Sequence, residues 1–141
     1  MVTDRSGLGA VMTCVVSETR MLLVKESRPQ ELWKLPGGKI EKSDRDIIAA
    51  AIREVLEETG IQLFSEEVKL WSKQRRVDGI YYPYFCVAWV SEEKLETRLN
   101  ITKENGQQIK TGLFDREEVS VMMDLLDRHR SFIQEVEMVQ D

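Results

Sequence analysis

Histidine is nearly absent from this sequence, His129 being the one example, and the two cysteines, Cys14 and Cys86, lie far apart in apolar runs. A Ser-His-Asp triad or a histidine-based metal centre would rest on that single imidazole. Two separated thiols make neither a disulfide framework nor a zinc site, and they read as buried and reduced. No apolar stretch approaches the ~18 residues of a membrane span. The start, Met-Val-Thr-Asp-Arg-Ser-Gly, has no apolar signal-peptide core, so a cytoplasmic location is the expectation. Proline is scarce, with three in the chain, and no Pro/Gly/Ser-rich linker or repeat marks a boundary. One domain over residues 1–141 is therefore expected. An excess of positive charge is lacking as well. The net charge of -5 argues against broad nucleic-acid binding but is compatible with nucleotides held through metal ions.

What is present is ordinary for a folded protein: 42% hydrophobic and 32% charged residues, enough to build a core and avoid disorder. The patterning predicts an apolar strand over 9–16, a turn at 17–19 and a return strand over 21–25. Residues 31–40, with Pro36, Gly37 and Gly38, read as a rigid turn followed by a flexible one. A helix is expected over 44–59, with Ser43 as N-cap and Gly60 as left-handed stop, and with Ile61 folding back on Leu56. Strands over 68–75 and 81–90 follow, then a polar loop over 91–107 and a short strand over 108–114. A second helix is expected from a cap at Asp115, with Glu118 closing the box, to about residue 136. Its apolar stripe includes Met122 and Met123, which read as core and could instead support a homodimer. Strands between two amphipathic helices imply an α/β fold, a sheet covered on both faces.

The helix over 44–59 carries an arrangement that folding does not require. On a helical wheel Ile48, Ala51, Ile52, Val55 and Leu56 share the expected core side. Glu54, Glu57 and Glu58 gather within an arc of roughly 100° on another. Like charges three or four positions apart cost about 0.2–0.5 kcal/mol each, and Glu57 and Glu58 also oppose the helix dipole. Only Arg53, four residues before Glu57, offsets this. A solvated acidic face is one reading. A site for a hard divalent cation on one rigid face is the other. The sequence Leu35-Pro36-Gly37-Gly38-Lys39-Ile40-Glu41 just before the helix favours the second, because two glycines let the backbone approach an ion or ligand closely.

These residues resemble the box of the Nudix hydrolases. Gly38 opens it, and Arg53-Glu54-Val55-Leu56-Glu57-Glu58-Thr59-Gly60-Ile61 completes it, with Trp33 to Gly38 as the usual approach. The interval from Gly38 to Arg53 is one residue longer than the family pattern. Counting forward from Gly38 places the first acid at Asp44, and counting back from Arg53 reaches Arg45. An aspartate plus one extra loop residue would restore the position, with Asp46 and Glu41 as the other candidates.

The resemblance implies an α/β/α sandwich with a mixed β-sheet between helices. It implies Mg²⁺-dependent hydrolysis, with Mn²⁺ as a substitute, of a nucleoside diphosphate linked to another moiety: a nucleoside triphosphate, ADP-ribose or a nucleotide sugar. It makes Glu54, Glu57 and Glu58 metal ligands with the Gly38 carbonyl, and Arg53 the residue that orients Glu54 or Glu57. Glu54, or Glu104 from a later loop, would be the general base. Candidates for binding the nucleotide lie outside the box: Trp33, Tyr82 and Tyr84 for stacking, Arg75 and Arg76 for phosphates. The alternative is a Nudix-like module that binds a nucleotide without cleaving it.

Overall fold

In the computed structural model, which describes residues 8–29 and 31–139, the first apolar run forms β1 (Ala10–Val16) at the middle of a sheet. Its lack of alternation has a simple cause. Val11 and Val15 point to one covered face, Cys14 and Val16 to the other. Beside it lie β2 (Arg20–Glu26) and a short β3 (Gly37–Lys39). The chain continues with α1 (Ile47–Thr59), β4 (Val68–Ser72), β5 (Arg75–Val77), β6 (Ile80–Tyr82) and β7 (Tyr84–Trp89). It ends with α2 (Glu92–Glu96), β8 (Ile101–Thr102), β9 (Gln108–Asp115), α3 (Arg116–Val119) and α4 (Asp127–Val139).

The sheet runs β4-β7-β1-β2-β9-β8, with β3 also paired to β1, while β5 and β6 form a separate hairpin. The pair β1–β7 is parallel and the others antiparallel, so the sheet is mixed. On one face Ala51 and Val55 of α1 pack with Val11, Leu22 and Ile61. On the other, Phe132, Ile133 and Val136 of α4 pack with Leu23, Leu35 and Phe85. The expected α/β sandwich is thus present. Cys14 and Cys86 are buried and unpaired, and burial pushes both thiols up, Cys86 to about 12. Among the described residues no helix is long and apolar enough to cross a membrane. Residues 1–7, read above for targeting, lie outside the described residues.

Several elements depart from the sequence reading, each for a local reason. The N-cap of α1 is Asp46, which accepts from the Ala49 N–H at 2.8 Å, and Ser43 lies outside the helix. Gly60 does stop the helix in the left-handed region, at φ 77°. Beyond it Ile61 turns fully into the core while Leu56 stays 41% exposed, so the two do not fold together. The helix is rotated from the expected wheel, burying Ile47 and Ala50 in place of Leu56. Gly37 and Gly38 form a strand rather than a free turn. Pro83 divides the run over 81–90 into β6 and β7, and Tyr82 packs on the α4 side while Tyr84 joins the α1-side core. The polar stretch 91–107 contains α2 and β8.

The second helix breaks between α3 and α4. There the Trp33 N–H donates to the Asp124 carbonyl and Leu126 N–H to the Trp33 carbonyl, while Arg130 takes the carbonyls of Ser120, Met122 and Leu125. Backbone groups committed to these partners cannot make helical bonds. Met123 on this segment is 96% exposed, not core, and Asp115 makes no side-chain cap.

Two buried polar groups fix the α4 layer. Arg116 pairs with Glu137 at 3.0 Å and donates to the carbonyls of Ser17 and Glu18, joining the β1–β2 turn to the last helix. His129 Nδ1 accepts the Leu35 N–H at 3.0 Å. Burial, with Lys34 and Arg128 nearby, pushes this imidazole down to about 3, so it is neutral when folded. The unfolded imidazole binds a proton at about pH 6.5, and the folded one resists until far lower. Stability from this group is complete above about pH 6.5 and is lost as pH falls toward 3, at no more than about 1.4 kcal/mol per pH unit. Urea unfolding from pH 7.5 to 4 should show wild type losing stability relative to His129→Gln, whose amide oxygen can still accept from Leu35. Parallel curves would show that the imidazole is not held neutral.

Candidate active site

The C-terminal half of α1 lies against β3, and the two glycines make the approach close. A Cβ on Gly38 would sit 2.6 Å from Glu54 Oε2, and one on Gly37 would sit 2.2 Å from the Val11 carbonyl oxygen. A side chain on Gly38 would displace the Glu54 carboxylate from the strand, and one on Gly37 would meet fixed backbone. Glu58 Oε1 accepts the Gly37 N–H at 2.8 Å. Glu54 and Glu58 are both 8% exposed, whereas Glu57 projects into solvent. Burial, followed by the charge of Glu54, raises Glu58 to about 7, against the Gly37 bond and the charges of Lys34 and Lys103. Burial also raises Glu54, with Arg53 pulling the other way and Glu57 adding to the rise.

Arg53 holds this array together. Its Nε and Nη2 each donate to Asp44 at 2.8 Å, a two-pronged pair, and Nη2 also reaches the Lys39 carbonyl at 3.0 Å. Nη1 lies 3.1 Å from Glu57 Oε1 and 3.3 Å from Glu54 Oε2. The hydrogen bonds to Asp44, with the Glu54 and Glu57 charges, hold the guanidinium above its usual range. Asp44 is 5% exposed and accepts the Glu41 N–H at 2.8 Å. The residue reached by counting forward from Gly38 is thus the one that grips Arg53, while Arg45 points into solvent.

The acidic face opens on a cleft of about 750 Å³. Gly37, Gly38, Glu54, Glu57 and Glu58 form one side, and Ile101 and Thr102 of β8 with Lys103 and Glu104 of the β8–β9 turn form the other. The structure thus brings Gly38, Arg53, Glu54, Glu57, Glu58 and Glu104 to one place.

It does not bring the expected nucleotide-binding residues there. Tyr84 is 3% exposed and belongs to the α1-side core. Trp33 lies edge-on to Phe114 at 4.9 Å, with Lys25 over its ring. Arg75 sits 4.9 Å from the Tyr82 ring beside Phe132, on the α4 side, and Arg76 lies over Tyr81. Among the described residues no aromatic side chain lines the acidic cleft. Lys34, Lys103, Glu26 and Met12, which do line it, escaped the sequence reading. For Lys34 a signal was present, since it alternates with Trp33 immediately before Leu35-Pro36-Gly37-Gly38.

Among the described residues no group of three or more acidic, histidine or cysteine side chains converges on a single point. The cause is visible in the bonds: Glu58 is turned to the Gly37 N–H, and Glu57 and Glu54 are drawn to Arg53. The donor set is nevertheless suited to a hard cation. It offers two buried carboxylates, a third beside them, and glycine backbone within reach. Asp44→Asn removes the charge that Arg53 grips inside the fold, and urea unfolding should show a loss of about 2–4 kcal/mol. A loss under about 0.5 kcal/mol would reduce the pair to a surface contact.

The NUDIX domain family profile matches residues 7–136. Among solved structures, a C. elegans Ap4A hydrolase in a binary complex shares 16% identity, with 93% of this chain and 96% of that one covered and a TM-score of 0.60. The MutT protein from Methanosarcina mazei Go1 shares 21% identity, with 93% of each chain covered and a TM-score of 0.62. A MutT from work on Aliivibrio salmonicida and Vibrio cholerae shares 16% identity, covering 96% of this chain and 99% of that one, at a TM-score of 0.65. At such identities the likeness is one of fold. The profile spans nearly the whole chain, and the residues of its box meet in one cleft: this chain belongs to the Nudix family of hydrolases.

Proposed function

We propose that the chain is a single-domain, cytoplasmic pyrophosphohydrolase that cleaves the diphosphate linkage of a nucleoside diphosphate joined to another group. Nucleoside triphosphates, ADP-ribose and nucleotide sugars are the substrate types considered. The observation that carries this reading is the meeting of Glu54, Glu57 and Glu58 with Gly38 and Glu104 around one open cleft. Glu54, Glu57, Glu58 and the Gly38 carbonyl would hold Mg²⁺, or Mn²⁺ in its place. When bound, such an ion neutralises phosphoryl oxygens and lowers the pKa of water.

The chain's own residues do the remaining work. Arg53, anchored on Asp44, fixes the Glu54 and Glu57 carboxylates and offsets their repulsion. Gly37 holds Glu58 through its N–H. The attacking water gives its proton to a carboxylate, Glu54 or Glu104, as its oxygen bonds to phosphorus. The bridging P–O bond breaks, and its electron pair leaves with the departing phosphate group. Of these two carboxylates, Glu54 is buried against β3 and Glu104 stands on the facing turn.

Turnover should be measured across nucleoside triphosphates, ADP-ribose, nucleotide sugars and dinucleoside polyphosphates with Mg²⁺. Glu57→Gln should lower kcat by about 10²–10³-fold with an unchanged circular dichroism spectrum, and EDTA should abolish activity. Retained activity in the variant would sink the assignment, and binding without any turnover would favour the non-catalytic module.

Glu58→Gln should separate stability from function. The folded Glu58 carboxyl is raised to about 7, above its ordinary 4.5, so its ionised form opposes folding fully above pH 7 and not below pH 4.5. In EDTA at pH 8 the variant should be more stable by about 1–3 kcal/mol, yet inactive when Mg²⁺ is restored. A variant no more stable than wild type at pH 8 would contradict the burial argument.

A further inference from the structure

The cleft has a second wall, which sets Lys34 and Lys103 beside Glu26 and Glu104 and which the family motif does not supply. Lys34 enters it from the segment before β3, its backbone fixed to Val24 by hydrogen bonds of 2.8 and 2.9 Å. Its Nζ lies 3.1 Å from Glu26 Oε2. Glu26, at the end of β2, has a side chain only 12% exposed. It also pairs with Arg28 and accepts from Gln107 Nε2 at 2.7 Å. Burial works against this carboxylate, yet Arg28 and Lys34 hold it below its usual range, so it stays charged. An ammonium has three N–H donors, and Glu26 takes one of them. The Lys34 side chain remains 27% exposed on the cleft side, with donors to spare.

Lys103 faces it from the β8–β9 turn and, among the described residues, makes no ion pair. Both lysines line the cleft that Glu54, Glu57 and Glu58 also line. An anhydride bound at that helix extends negative charge away from it, and the cation that the helix carries, Arg53, is already committed to Asp44, Glu54 and Glu57. With no aromatic ring in the lining among the described residues, base stacking does not supply the grip either.

We propose that Lys34, aimed by the Glu26 clamp, is the phosphate-binding group for the part of the substrate remote from the acidic helix, with Lys103 closing on the same phosphates. It rests on the hydrolase reading and deepens it: the site selects a linear polyphosphate, as in a nucleoside triphosphate, over a diphosphate capped by a neutral sugar. Glu26 is a positioning residue, since it acts through Lys34.

The test combines calorimetric titration of inorganic tripolyphosphate in Mg²⁺ buffer with steady-state kinetics on nucleoside triphosphates and nucleotide sugars. Lys34→Gln should weaken tripolyphosphate binding and raise KM for the triphosphate by about tenfold, with kcat changed less than about twofold. Lys34→Arg should retain most of the affinity, and Lys103→Gln should lose a few-fold. Glu26→Gln should raise KM by less than Lys34→Gln, and the salt dependence of binding should flatten in Lys34→Gln. Unchanged binding in both lysine variants, a loss confined to kcat, or a wild-type preference for nucleotide sugars would overturn the proposal. Should Lys34→Gln fail to fold, Lys34→Arg and Lys103→Gln still decide it. Wild type that binds tripolyphosphate through Lys34 but hydrolyses no anhydride would end the hydrolase reading and leave this inference standing.

Discussion

The guanidinium of Arg53 lies among Asp44, Glu54, Glu57, Glu41 and the Lys39 carbonyl, and among the described residues no other cation pairs with Glu54 or Glu57. Without it, Glu54 would face Glu57 and Glu58 with only repulsion between them, at the helix end that already disfavours negative charge. A planar fork of fixed donors suits this place, because it can grip Asp44 with two bonds and still present Nη1 to two further carboxylates. The rest of the site follows from that grip. Asp44 ties the loop before the helix to its second half, the loop places β3, and β3 brings its glycines to Glu54 and Glu58.

How much of this was legible in the sequence depends on what fixed each piece. The acidic cluster and the Gly60 stop could be read because they follow from helical spacing and from one backbone conformation. The two-sided sheet was legible from apolar strands lacking alternation between amphipathic helices. The start of α1 was not: Ser43 and Asp46 are both good caps, and the demand of Arg53 for Asp44 decided between them. The second helix looked continuous because its apolar stripe continues through 120–126. What breaks it is Trp33, distant in sequence, which takes the backbone of Asp124 and Leu126. The aromatic residues misled for a similar reason. Pro83 changes the phase of the strand, and Tyr84 goes to the core. The lysine wall was hidden because it joins segments around 26, 34 and 103 that only the sheet order brings together.

The two layers over the sheet are held by different kinds of contact. On the α1 side small and branched residues, Ala50, Ala51 and Val55, let the helix lie close, which places its polar flank at the strand edge. On the α4 side larger groups fill the space, with Phe85 stacked on Phe132 at 4.2 Å and edge-on to His129. His129 is thus absorbed into packing and into one backbone hydrogen bond, which accounts for the chain's single imidazole without any part in the chemistry.

β1 changes its neighbour part-way along: its first residues pair with β3 and its last with β2, so the two partners diverge like the arms of a fork. The cleft opens at this divergence, with Met12 of β1 in its lining. The acidic arm is set by helix and strand, elements that cannot change length without disturbing the core. The opposite lip belongs to the β8–β9 turn, whose tip at Glu104 to Gly106 is exposed and touches little. Insertions or exchanges at Asn105 and Gly106 can reshape the entrance while Lys103, Glu104 and the arms of the fork stay where they are. The fold thereby separates a part that must be conserved in geometry from a part free to drift, and new specificities can be tried without rebuilding the machinery.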